Sequence, residues 1–159
     1  MPLSNFERMI QLAEDSFAAK NDPAQLDVDE KVIKHLQRIH PATLSEYNDG
    51  KGPAVWILLI PTSLDLMKRF LNKNITEQEL LELTPLGASY KALYLCSALV
   101  LPEYRAKGIA KRLTLEAIES IRKKHPLQTL FVWPFSQEGE ALANIVARSV
   151  SLPLLKRSA

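Results

Sequence analysis

Val100-Leu101-Pro102-Glu103-Tyr104-Arg105-Ala106-Lys107-Gly108-Ile109-Ala110-Lys111-Arg112 joins an apolar, strand-like run to the most regular amphipathic segment of the chain. The run spans Tyr90 to Leu101 and stops at Pro102. The segment behind it, Gly108 to Lys124, carries Ile109, Leu113, Ala117 and Ile121 on one stripe with Ile118 alongside, and reads as a helix. Lys123, Lys124 and His125 suit the negative end of its dipole, and Pro126 follows. Three features are odd for a plain connection. One of only five glycines stands at the helix start, where a missing side chain permits close backbone approach. Arg105, Lys107, Lys111 and Arg112 crowd an end that already carries partial positive charge. The first-turn N–H groups there have no partner inside the helix. Free donors, a dipole and cations together describe an anion site, most naturally for a phosphate or pyrophosphate. A solvated basic helix that begins with glycine explains the same residues. Neither a Walker loop nor a Gly-x-Gly-x-x-Gly fingerprint is present.

Working outward, Phe6, Met9, Ile10, Ala13 and Phe17 have helical spacing, and Asn21-Asp22-Pro23 breaks that helix. A second helix is predicted over Asp29 to Ile39, with Val28, Val32, Leu36 and Ile39 on one stripe. Ala42 to Tyr47 and Ala54 to Ile60 flank the turn Asn48-Asp49-Gly50-Lys51-Gly52 and read as a hairpin. The second arm is almost wholly apolar, which predicts a strand covered on both faces. Two short helices are predicted between Ser63 and Leu83, the second opened by the capping-box pattern Thr76-x-x-Glu79. Leu130 to Trp133 reads as a last clear strand and Gly139 to Val150 as a last helix, with Leu142, Ile145 and Val146 inward. The class is α/β (α+β): one domain over 1–159, with a mixed, mostly antiparallel central sheet flanked by helices and a helical insertion at about 63–89.

A chain of 159 residues that is 47% hydrophobic and 24% charged is long and apolar enough for one self-sufficient core. Twenty basic against eighteen acidic residues leave +2, too weak a field to argue for nucleic acid or an anionic membrane. Neither long apolar run reaches the ~20 residues of a bilayer span, and the N-terminus lacks signal-peptide order. One cysteine, Cys96, permits no internal disulfide; a cytoplasmic protein is expected.

Val100-x-Pro102-Glu103-Tyr104-Arg105-x-Lys107-Gly108-Ile109-Ala110 closely resembles the acetyl-CoA signature of the GNAT acetyltransferase superfamily, Arg/Gln-x-x-Gly-x-Gly/Ala after an apolar strand. Close similarity covers Tyr94 to Lys124, and the order of the remaining elements is compatible with that family. The resemblance implies an acetyl-CoA-dependent N-acetyltransferase with a small-molecule or peptide amine acceptor; from charge, hydropathy and histidine spacing, no metal, nucleic acid or membrane partner is expected. A homodimer is compatible with it. Backbone groups of Ala98, Leu99 and Val100, where the strand splays from its neighbour, would pair with the pantetheine arm. Arg105, Ala106, Lys107, Gly108, Ile109, Ala110 and Lys111 would surround the pyrophosphate, mainly through main-chain N–H groups. An N–H near Leu99 or Val100 would polarise the thioester carbonyl.

Two departures stand out. Trp133 to Ile145, where the family usually keeps a tyrosine that protonates the departing thiolate, contains none, and the usual Gly-Phe step into a final strand is missing unless Ser151 to Leu155 serves. Tyr94 and Ser97 lie near where the family often keeps polar catalytic groups, and Tyr94 is the candidate for proton transfer as well as a packing residue. The missing tyrosine leaves room for the alternative of a non-catalytic acyl-CoA-binding module. The 63–89 insertion is a candidate wall of the acceptor side.

Other residues read more plainly. Cys96 reads as a small buried hydrophobe, Glu103 as solvated or capping, and Tyr104 as packed beneath the loop. Trp56, Trp133 and Phe135 read as core or pocket walls. Glu77, Glu79 and Glu82 read as one exposed helix face or as an attractant for a cationic amine. His35, His40 and His125 are dispersed without metal-ligand spacing.

Overall fold

A computed structural model describes residues 3–20 and 22–158, the side chains of 17–20 excepted. Helices α1 (Asn5–Lys20) and α2 (Glu30–Ile39) precede the hairpin of β1 (Leu44–Asn48) and β2 (Pro53–Thr62). Helices α3 (Leu64–Leu71) and α4 (Glu77–Leu83) form the expected insertion before β3 (Ala92–Val100). Then α5 (Ile109–Arg122), β4 (Thr129–Val132), α6 (Gln137–Val150) and β5 (Leu154–Lys156) follow. The five strands lie in chain order in one sheet. The long pairings, β1–β2 and β2–β3, are antiparallel. The short ones, β3–β4 and β4–β5, are parallel, so the expected antiparallel majority holds for the long strands only. The final strand comes from the Ser151–Leu155 region, displaced to Leu154–Lys156 and parallel to β4.

Alternation along β2 divides the core. Leu58 and Ile60 pack with Leu36, Phe70, Leu80, Tyr94 and Phe131 under α2, α3 and α4. Val55, Ile57 and Leu59 pack with Ala117, Ile118, Ile121 and Val146 under α5 and α6. Nine of the ten β2 residues are buried, as a strand covered on both faces requires. Two successive crossovers in the same direction place α5 and α6 on one face. Each large apolar side chain fully withdrawn from water contributes about 1.5–3 kcal/mol.

Some expected stripes point differently. In α1 Met9 is buried, but Phe6 is 56% exposed and Ile10 39%, because the helix lies on Ala54, Leu99 and Leu101 along a narrow contact. The side chain of Phe17 lies outside the described residues. Val28 and Ile145 are exposed, and Ala143 and Ala147 take the inward places on α6. Among the described residues no helix is long and apolar enough to cross a membrane, and no group of metal-ligating side chains assembles.

His40 is buried, and its Nδ1 accepts the Ala42 N–H at 2.9 Å. His125 Nδ1 accepts the Tyr90 N–H at 3.3 Å, and the two rings lie 6.0 Å apart. Burial lowers both pKa values below the ordinary imidazole value of 6.5; His125 and Lys124 add repulsion at His40, and Lys124 adds it at His125. The folded chain therefore binds fewer protons than the unfolded chain as pH falls through this range, so stability present above pH 6.5 is lost on acidification. The melting temperature is expected to fall between pH 7 and pH 5. His40→Asn, which keeps an acceptor for Ala42, should show a shallower fall in thermal melts across that range.

Candidate functional site

Strand β3 has a partner on each side only over Ala92–Leu95, where it pairs with Thr129–Val132 of β4. Beyond Leu95 it continues to Val100 against β2 alone. Two local causes end the second pairing. The β2–β3 register jumps from Leu58↔Ser97 to Leu59↔Leu95, leaving Cys96 as the extra residue of a bulge, which bends and twists the strand. On the other side Pro134 follows Trp133 closely after β4 and has no N–H to continue a ladder. The edge of β3 from Cys96 to Val100 is thereby open.

A cavity of about 450 Å³ occupies this opening, within the ~300–1,000 Å³ usual for small-molecule sites. Leu95, Cys96, Ser97, Ala98 and Leu99 form one wall; Val132, Trp133, Pro134 and Phe135 form the other; Thr114 of α5 and Leu142, Ala143 and Val146 of α6 close one side. No charged residue lines the cavity among the described residues, and its polar lining residues include Ser97, Thr114, Ser136 and Cys96.

The open edge leads to the start of α5. Arg105 Nε donates to the Val100 carbonyl at 3.1 Å, folding the connection back beside the strand end. Ala106 has φ +61° and Gly108 φ +76°, both left-handed. For Ala106 this conformation costs roughly 1–2 kcal/mol. At Gly108 an added Cβ would meet nothing within 4 Å, so glycine is needed for its dihedral angle and leaves clear space above the helix end. Ser4, Asp29, Ser63, Thr76 and Ser136 cap the other described α-helices through side-chain oxygens; α5 has no side-chain cap. Its first N–H groups remain available to an outside acceptor.

The predicted cofactor-binding residues thus fall in one continuous region. Ala98, Leu99 and Val100 lie on the open edge; Arg105, Ala106, Lys107, Gly108 and Lys111 are exposed around the α5 start; Ile109 and Ala110 are half-buried, packing against the α5–α6 side of the core. The Lys107 ammonium lies 5.9 Å from the Tyr104 ring and the Arg112 guanidinium 5.8 Å from the Tyr47 ring. The preceding turn is held from two sides. Arg8 of α1 makes a two-pronged pair with Glu103, each contact 2.7 Å, which draws the Glu103 pKa down to about 2. Glu103 is therefore a tether to α1 rather than merely solvated or capping. Tyr104 donates its hydroxyl to Asp49 in the hairpin turn, and that bond raises the phenol pKa.

Tyr94 is not in the cleft. It is fully buried, stacked on Phe131 at 5.0 Å and tilted against Phe70 at 4.9 Å. Its hydroxyl donates to Glu77 Oε2 at 2.6 Å. Burial, then the Glu77 charge, holds its pKa well above the ordinary value. The geometry makes Tyr94 a core donor rather than an acid facing substrate, because strand alternation turns it toward α3 and α4.

Glu77 also departs from expectation: it is 5% exposed, not part of a solvated face. Its Oε1 accepts the Leu26 N–H at 2.7 Å, and its N–H donates to the Ala24 carbonyl at 2.8 Å. The capping box at Thr76 is formed as read, but its burial against the 22–29 connection is set by contacts far away in sequence. Trp133 and Phe135 do wall the cleft, their rings 4.4 Å apart. Behind Trp133, the buried Arg157 guanidinium lies 4.3 Å from that ring and 4.5 Å from Phe70, and donates to the Ile75 carbonyl. Thr114 had no local signal as a cleft residue, and the sequence could not show the bulge at Cys96 or the burial of Glu77, since both are products of tertiary pairing.

No protein-family model matches the chain, and no curated protein matches it either.

Gly108→Ala is expected to fold with a penalty of roughly 1–2 kcal/mol from the left-handed φ, lowering the melting temperature by roughly 2–8 °C. Tyr94→Phe should cost about 1–3 kcal/mol by leaving a buried carboxylate oxygen short of a donor. Chemical denaturation would read that loss.

Proposed function

We propose that the chain is an acetyl-CoA-dependent N-acetyltransferase of the GNAT kind. The observation that carries this reading is the continuity of the open β3 edge, the cleft and the uncapped start of α5. The main-chain edge of Ala98 to Val100 is suited to pair with an extended amide-bearing arm, as a further strand would. The N–H groups at the start of α5, the clear space over Gly108 and the cations of Arg105, Lys107 and Lys111 are suited to hold a pyrophosphate. The arrangement thus matches the two ends of one elongated molecule in the right order along the chain.

When bound, acetyl-CoA supplies an activated acetyl thioester. The residues of the chain contribute position, exclusion of water and oriented dipoles. The cleft walls of Leu95, Val132, Trp133 and Leu142 are apolar and lower the local dielectric, which strengthens any N–H aimed at a carbonyl oxygen. An N–H on the open edge near Leu99 or Val100 serves as that dipole. Transfer then requires an amine in its neutral form beside the cleft apex. Insertion helices α3 and α4 cover the opposite face of the sheet through Leu66, Phe70 and Leu80 and, among the described residues, contribute none to the cleft lining, so an acceptor-side role for them would lie beyond the cleft itself.

The withdrawal of Tyr94 from the cleft favours a second reading, an acyl-CoA-binding module without turnover. A thermal-shift titration with acetyl-CoA, followed by an amine screen, separates the two. At 100 times Kd, binding adds about 2.7 kcal/mol, expected as a rise of roughly 5–10 °C in melting temperature. ATP should give none, and Gly108→Glu, which places a carboxylate at the anion site, should abolish the response. A shift with turnover of an amine supports the enzyme; a shift with no turnover across a broad panel supports the binding module. Absence of any shift at millimolar acetyl-CoA would overturn both.

A further inference from the structure

Resting on the acetyltransferase reading, we propose that Glu77 and Cys96 form a proton relay that neutralises the ammonium of the acceptor at the cleft apex. An uncharged cleft disfavours a cation unless it is paired or deprotonated, and no charged side chain lines this one among the described residues. Directly behind its wall is the Glu77 carboxylate. Cys96 lines the cleft and presents its Sγ 3.7 Å from Glu77 Oε2, with the thiol as donor. The bulge puts this side chain at the point where β3 and β4 part. Among the groups that meet Glu77 are Tyr94 and Cys96 on β3 and the backbone N–H of Leu26. The Arg157 cation acts on Tyr94 from the far end of the same cluster.

The step conserves protons and charge. The ammonium N–H bond breaks and its proton bonds to Cys96 Sγ, while the Cys96 S–H proton passes to Glu77 Oε2. The amine and Glu77 are then both neutral and the thiol is restored. Glu77 returns its proton to solvent after turnover. Glu77 acts through Cys96 and is a positioning and proton-accepting residue; Cys96 is the group that touches the acceptor.

The test uses the full chain with the fastest alkylamine from the screen. Glu77→Gln retains an acceptor for Leu26 and should reduce kcat/KM on the order of a hundredfold at pH 7. The rate should recover as pH rises toward the amine's own pKa of about 10.4, because free base then replaces the relay. Cys96→Ala should behave likewise, and Cys96→Ser, which can still pass a proton, should retain most of the rate. As Cys96 is the only cysteine, its S–H stretching band can be read in the free protein and should move in Glu77→Gln. A loss that does not recover at high pH, full activity in Cys96→Ala, or an unmoved band overturns the relay. Should Glu77→Gln not fold, the two Cys96 variants decide alone. Failure of the wild type to bind acetyl-CoA sinks the acetyltransferase reading instead, and is seen separately in the thermal shift.

Discussion

Strand β3 is paired on both sides for the four residues from Ala92 to Leu95 and on one side for the four from Ser97 to Val100, with the bulge at Cys96 between them, and the candidate site follows from that change. A backbone edge in a protein interior must find partners, be wetted or receive a ligand. Here the bulge at Cys96 rotates the strand just as Pro134 removes the donor that would have continued β4. The opening is therefore written into both strands. The helix that follows β3 returns along the same side, so its unsatisfied N–H groups and the unsatisfied strand edge belong to one surface.

The two faces of the sheet divide the work. On one, α5 and α6 pack through Ile118, Ile121 and Val146 and fix the helix start relative to the strand. On the other, α2, α3 and α4 cover Tyr94, Phe131 and Trp133, and bury Glu77 and Arg157 among aromatic rings. Burying ionised side chains is costly unless hydrogen bonds and neighbouring charge offset the loss of water. Glu77 receives a phenol, a backbone N–H and a thiol; Arg157 receives a carbonyl and two ring faces. The polar cluster touches the cleft through Cys96 and Trp133.

Much of the fold was legible in sequence because its signals are local. The Ala54–Ile60 run reads as a buried strand, the Thr76-x-x-Glu79 pattern as a helix start, and Gly108 as the start of the amphipathic helix after the strand. Ala98 to Lys111 come together as read because a strand, its connection and the next helix are contiguous. What escaped depends on partners remote in the chain. Tyr94 is aimed away from the cleft by strand alternation, Glu77 is buried by Leu26, and Glu103 is tethered by Arg8. A final parallel strand at Leu154–Lys156 is too short to show a period.

The division of the sheet into antiparallel and parallel halves has a consequence for assembly order. The β1–β2 hairpin closes over a short turn, whereas the β3–β4 pairing must wait for the whole of α5 to be brought back. Loop closure comes before the contacts that reward it, so sequence-distant pairing is intrinsically slow. The cleft lies along the seam between these halves. A molecule lying in it touches two strands, β3 and β4, each joined to its neighbour only through whole helices, and so acts as a clasp on the chain's own topology.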